Sequence, residues 1–216
     1  MSIRVENDGP VTIVFFDQGE AGDASGGDGQ ARSGPSLVLQ DDGRGHWAGH
    51  MLLPSWSSLI KRPDNKLQVD VMHKEYPLVD GPPSPQHLQA FEWLTRNGAV
   101  MMKAVLDAIM AKYPGLQARY NYSPEEAAVV MPTLHEAKDL TPLIELINVY
   151  VYEVIDDEGP HIGFLLGCTW DEEHSLGIMM HGFRLLLIGE ADCAFSEWPT
   201  EKDAEKLRHP AAVPRH

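Results

Sequence analysis

The chain has 216 residues, 17 Lys and Arg against 32 Asp and Glu, a formal charge of −15 and two cysteines. That length suits one domain with a real core. The acidic balance argues against duplex binding, whose affinity comes from Lys and Arg neutralising phosphates, and two cysteines cannot build a disulfide framework.

No apolar run reaches the roughly 18 residues of a membrane span. The start, Met1-Ser2-Ile3-Arg4-Val5-Glu6-Asn7-Asp8, lacks the basic-then-apolar layout of a secretory leader. The expectation is a cytoplasmic, single α+β domain over residues 1–200, with a charged, frayed tail over 201–216.

Val11 to Phe16 is short, apolar and rich in β-branched and aromatic residues, which predicts a buried strand. Gly19 to Gly34 carries six glycines among Asp, Glu, Ser and Ala, too little apolar surface to offset its ordering entropy, so it reads as a mobile loop. It is not a phosphate loop: no Gly-Lys-Ser/Thr or G-x-G-x-x-G is present, and Glu20, Asp23 and Asp28 repel phosphate.

Ser36 to Gln40 predicts a second strand, turned by Asp41-Asp42-Gly43, and Trp47 to Leu53 a third, ended by Pro54. In Lys66 to His73, Leu67, Val69, Val71 and His73 share one face and Lys66, Gln68, Asp70 and Met72 the other, the alternation of a half-buried strand. His73 reads as a strand-edge residue.

One long helix is expected from Pro85 to Tyr113. Ser84 is its N-cap and Pro85 its first residue, where a missing N–H costs nothing. Leu88, Phe91, Leu94, Met101, Val105, Ile109 and Tyr113 recur at helical spacing as a core stripe. Gly98 implies a kink or close packing, Met101, Met102 and Met110 read as core fillers, and Pro114-Gly115 stops the helix. Ser123-Pro124-Glu125-Glu126 starts a short second helix. Thr141-Pro142 opens another short piece before a strand over Asn148 to Ile155.

The C-terminal part is the most regular. Ile162, Phe164, Leu166, Cys168 and Trp170 alternate with His161, Gly163, Leu165, Gly167 and Thr169, and Ile178 to Ile188 forms a second apolar strand. Asp171 to Gly177 between them predicts a long β-hairpin with a polar loop, Trp170 lying near Ile178. The expected fold is a largely antiparallel sheet whose C-terminal hairpin packs on one long helix, with short helices beside it.

Few residues carry a chemical signature. Cys168 and Cys193 lack C-x-x-C spacing and read as free thiols, and no G-x-S-x-G is present. His135-Glu136-Ala137-Lys138-Asp139 is one residue from the H-E-x-x-H zinc helix, but Leu140-Thr141-Pro142 leaves little helix to hold it. The richest cluster is Asp171, Glu172, Glu173 and His174. Three carboxylates and a histidine suit a divalent metal or acid–base work, yet strand-like alternation sends Asp171 and Glu173 one way and Glu172 and His174 the other. A solvated turn in which Asp171 caps backbone amides is the simpler structure.

The segment Phe164 to Ile178, with Trp170-Asp171-Glu172-Glu173-His174-Ser175-Leu176-Gly177 at its heart, resembles the signature W-D-x-E-H-G-x-G of an uncharacterised bacterial family of unknown function. Gly189-Glu190-Ala191-Asp192 resembles its Gly-acid-x-Asp end. Trp47-Ala48-Gly49, the central helix and Leu143-Ile144-Glu145-Leu146 extend the likeness. Ser175 replaces the usual glycine. Small acidic domains of this kind sit beside secreted bacterial toxins as immunity proteins.

The resemblance and the charge together imply a non-enzymatic immunity or inhibitor protein binding a toxin or other basic protein. It would have no cofactor, no metal, no nucleic acid and no membrane as partner. An acidic surface steers a basic partner. The expected contact residues are Asp156, Asp157 and Glu158 in one turn and Asp171, Glu172, Glu173 and His174 in the hairpin loop, at opposite ends of the strand between them. The alternatives are a metal-assisted hydrolase or other enzyme using Asp171 to His174, and a structural or regulatory interaction domain.

Overall fold

The computed structural model describes residues 3–9, 11–16, 37–73, 82–156 and 158–196. The Gly19–Gly34 loop, the 201–216 tail and Asp157 lie outside them. Nine strands form one sheet in chain order: β1 (Ile3–Asp8), β2 (Val11–Phe16), β3 (Leu37–Asp41), β4 (Trp47–Leu52), β5 (Lys66–Met72), β6 (Ile144–Asp156), β7 (Gly159–Cys168), β8 (Leu176–His181) and β9 (Arg184–Gly189). Every neighbouring pair is antiparallel except β5 and β6. A parallel pair needs a long crossover, and helix α1 (Pro85–Tyr120) provides it. The fold is α+β, as the patterning implies.

Strand β1 was not expected. Its signal is the turn sequence Asn7-Asp8-Gly9, where Gly9 takes φ 59°, a left-handed value that glycine adopts at no steric cost.

Helix α1 lies on one face of the sheet, packed on β6 and β7. Phe91, Leu94, Met101, Val105, Ile109 and Tyr113 are buried there, meeting Val69, Val71, Val149, Val151, Ile162, Phe164, Leu166 and Ile178 in one core. Met102 and Met110 pack at its margin. Trp56 joins the layers: its ring stacks on Phe164 with centroids 5.0 Å apart, and its Nε1–H donates to the Gly98 carbonyl at 2.8 Å. A Cβ on Gly98 would sit 2.5 Å from Ser55 Oγ, so this glycine serves close packing.

The start of α1 is fixed as expected. Ser84 Oγ accepts from the His87 amide, and His87 Nδ1 accepts from the Ser84 amide at 3.1 Å. His87 is buried and its Nε2 lies 3.0 Å from the Met72 carbonyl, so Nε2 carries the proton of a neutral ring. Burial holds its pKa below the ordinary histidine value. His73 directly follows β5 on its apolar face. It is buried, edge-on to His87 with centroids 4.9 Å apart.

The helix does not stop at Tyr113. Pro114 lies inside it, removing the hydrogen bond to the carbonyl of Met110. Pro114 and Gly115 are exposed, where water can satisfy that carbonyl. Tertiary bonds then hold the extra turns: Tyr113 Oη donates to the Pro132 carbonyl at 3.0 Å and Gln117 Nε2 to the Met131 carbonyl at 2.9 Å. Asn121, at φ 48°, caps the end. The second helix, α2 (Pro124–Val130), has the expected Ser123 capping box. A 3₁₀ turn over Ala137–Leu140 precedes β6, which begins at Ile144, earlier than expected.

The expected strand Ile178 to Ile188 is two strands. Gly182, at φ 50°, starts a two-residue turn with Phe183, and His181 faces Arg184 across it, the standard use of glycine in a tight hairpin. The β7–β8 register also differs: Phe164 faces Ile178 and Leu166 faces Leu176, so Trp170 lies beyond the paired strands. Trp170 is buried edge-on to Tyr113, centroids 5.6 Å apart. On the opposite face the 3₁₀ turn Ala191–Ala194 packs on β7 and β8. A Cβ on Gly163 would lie 1.6 Å from the Ala194 carbonyl oxygen.

Candidate functional site

The loop between β7 and β8 is a compact turn, not an extension of the strands, so side-chain alternation does not apply. Asp171 and His174 meet instead of diverging. Asp171 Oδ1 accepts from the His174 amide at 2.9 Å and lies 3.0 Å from His174 Nδ1. Asp171 Oδ2 accepts from Tyr120 Oη at 2.6 Å. The Ser175 amide donates to the Asp171 carbonyl at 3.1 Å.

The electrostatics follow from these contacts. Burial works to raise the Asp171 pKa, but the bonds from Tyr120 and His174 outweigh it and hold the carboxyl below its ordinary range. Asp171 in turn raises the His174 pKa through its hydrogen bond and its charge. Burial, reinforced by the bond to Asp171, pushes the Tyr120 phenol up. Both oxygens of Asp171 are committed to the loop's own structure. Glu172, Glu173 and His174 are exposed.

The surroundings add an aromatic and acidic rim. Tyr122 is exposed and its hydroxyl donates to the Trp170 carbonyl at 2.6 Å; its ring stacks on Tyr120, centroids 6.0 Å apart. Arg119 pairs with Glu190, and the Ala191 amide donates to the His174 carbonyl at 3.3 Å. The end of α1, the hairpin loop and the end of β9 thus form one connected surface.

The second expected patch lies at the other end of β7. Asp156 closes β6 and Glu158 is exposed, but Glu158 lies 3.3 Å from Arg184 Nη2 and 3.6 Å from His181 Nδ1. His181 is buried and stacks on His161, centroids 4.1 Å apart. The structure therefore gives Glu158 partners within the molecule.

The remaining chemical candidates resolve into structure. The amides of His135 and Glu136 both donate to Asp139 Oδ2, at 2.9 and 3.1 Å, and this lowers the Asp139 pKa. The near-match to the zinc helix is a capped turn. Cys168 and Cys193 are free; burial pushes the Cys168 thiol up to about 12 and the Cys193 thiol up to about 11, which disfavours the thiolate that nucleophilic chemistry needs. Among the described residues no group of three or more His, Cys, Asp or Glu converges as a metal site, and no helix is long and apolar enough to cross a membrane.

One polar cluster escaped the sequence reading. On the face opposite α1, buried Asp70 accepts from Asn148 Nδ2 and lies 2.9 Å from His46 Nε2. It adjoins an open cleft of about 480 Å³ lined by Gln40, Ala48, His50 and Gln68 among others. The residues are on β3, β4, β5, β6 and the β3–β4 turn; only Asp70 on an otherwise half-polar strand face hinted at them.

Fold and loop together describe an acidic α+β domain whose hairpin turn is locked by one aspartate. The family model for a domain of unknown function, DUF6985, matches residues 47–195, from β4 to the residue after the final 3₁₀ turn. The chain belongs to the DUF6985 family. No curated protein and no solved structure matches it. Strands β1 to β3 precede the matched region and extend its sheet.

Proposed function

We propose that this chain is a protein-binding domain, a bacterial immunity or inhibitor protein acting in the cytoplasm, whose hairpin loop contacts a basic partner such as a toxin. The observation that carries the reading is the locked loop. Asp171 spends both oxygens on fixing the turn, so Glu172, Glu173 and His174 are exposed on a preorganised surface beside Tyr122. Preorganisation lowers the entropy cost of binding, and tyrosine beside charge suits an interface rim. A charge of −15 attracts a basic partner over a distance.

A photo-crosslinking residue placed at position 172 in the native host tests this. One predominant covalent adduct with a basic protein should form, and no such adduct from the same residue at position 158. Equal adducts at both positions, or none at 172, contradict it.

A further inference from the structure

Strand β9 is the last of the sheet and pairs on one side only, with β8. Among the described residues no strand pairs with its outer side. An edge strand presents a row of unpaired backbone N–H and C=O groups, and proteins ordinarily blunt such edges with Lys, Pro, bulges or a covering segment. The sequence Arg184-Leu185-Leu186-Leu187-Ile188-Gly189 contains neither Lys nor Pro. Leu185 and Ile188 pack inward on the core. Its blunting devices are the exposed Arg184 at its start and a register shift opposite Met179 and Met180, which leave Leu187 to Gly189 in regular pairing. Among the described residues, which end at Ser196, no segment covers its outer side either. After Gly189 the chain turns onto the face opposite α1, where Glu190 and Ala194 lie against Gly177 and Gly163 and Cys193 lies over Gly189.

The charge around the strand is lopsided. Arg184 at its start is beside Glu158. Its other end runs into exposed Glu190, next to the loop that carries Glu172 and Glu173. We propose that β9 receives an extended, basic segment of the partner protein as a tenth strand, with Lys or Arg of that segment meeting Glu172 and Glu173. Strand addition supplies main-chain hydrogen bonds for affinity, while flanking charges set specificity and direction. A second copy of the chain is the weaker occupant, because two bodies of charge −15 repel. The inference rests on the protein-binding reading and names its mode.

The test uses the full chain and a displayed library of random dodecapeptides. Selected peptides should carry Lys or Arg at one end and alternating β-branched residues after it. In solution they should slow hydrogen exchange at the backbone of Arg184 to Gly189. N-methylation of alternate peptide amides should weaken binding at least tenfold, and E172Q with E173Q should weaken it severalfold at low salt. Selection of no peptide, or of peptides without basic residues, overturns the inference. Basic peptides that protect only residues 171–175 overturn strand addition and leave the acidic-loop reading standing. Protection of β9 on self-association of the free chain overturns the choice of partner.

Discussion

Tyr120 Oη donates to Asp171 Oδ2 across 2.6 Å, joining the last residue of α1 to a loop 51 residues further along the chain. The bond holds two otherwise weak features at once: the helix turns beyond Pro114 and the hairpin turn. A hydrogen bond to a charged group contributes about 1.5–3 kcal/mol. Tyr120→Phe should therefore cost that much in urea unfolding, and it should raise amide exchange in Gly115 to Tyr120 and in Glu172 to Ser175 together. Faster exchange in only one of the two segments would show that they are not coupled through this bond.

The Asp171–His174 pair gives a pH window with a defined sign. Asp171 has its folded pKa lowered, so its contribution is present above the ordinary carboxylate value and is lost as pH falls through the folded one. His174 has its folded pKa raised, so its contribution is full below the ordinary histidine value and is lost as pH rises through the folded one. Stability from the pair is therefore greatest between about pH 4 and 6.5. Difference profiles of unfolding free energy against pH, wild type minus Asp171→Asn, should show this plateau; a flat difference contradicts the pairing.

Ser175 sits at φ 61°, a left-handed value that favours glycine. A side chain in this region costs about 1–2 kcal/mol, partly offset by the extra unfolded-state entropy of glycine. Ser175→Gly should stabilise the protein by about 0.5–1 kcal/mol and raise its melting temperature. A destabilised variant would mean that the serine side chain has a bond worth more than the strain.

Phe164 and Gly163 test the two faces of β7. Phe164 is fully buried against Trp56, and Phe164→Ala should cost about 3–5 kcal/mol. Gly163→Ala places a methyl on the Ala194 carbonyl, an overpacking that costs about 3 kcal/mol or more. It should also lift the 3₁₀ turn that carries Cys193 and speed that thiol's reaction with a disulfide reagent. Unchanged Cys193 reactivity in a folded Gly163→Ala protein would contradict the packing described.

How far these features were legible depended on whether the signal was local. The Ser84 cap, the Leu67–Val69–Val71 face and the β7 alternation state themselves within a few residues, and the structure has them. The extension past Pro114 was not legible, because the bonds that sustain it come from Met131, Pro132 and Asp171, far off in sequence. The two-residue turn at Gly182 was locally encoded, but a lone glycine in an apolar run carries little weight against the run. Asp70, His46 and Asn148 come together only once β4, β5 and β6 are side by side. In the hairpin loop the capping role of Asp171 was readable from its type and position, whereas its bond to Tyr120 was not.

The central claim is that the locked acidic loop meets a basic partner, and the association rate tests it most directly. With the partner identified by crosslinking at position 172, stopped-flow association should be compared for wild type, E172Q/E173Q and E158Q across a salt series. E172Q/E173Q should slow association severalfold at low salt and flatten its salt dependence, while E158Q associates at the wild-type rate and both variants keep unfolding free energies near wild type. Wild-type association rates for E172Q/E173Q at low salt would contradict it.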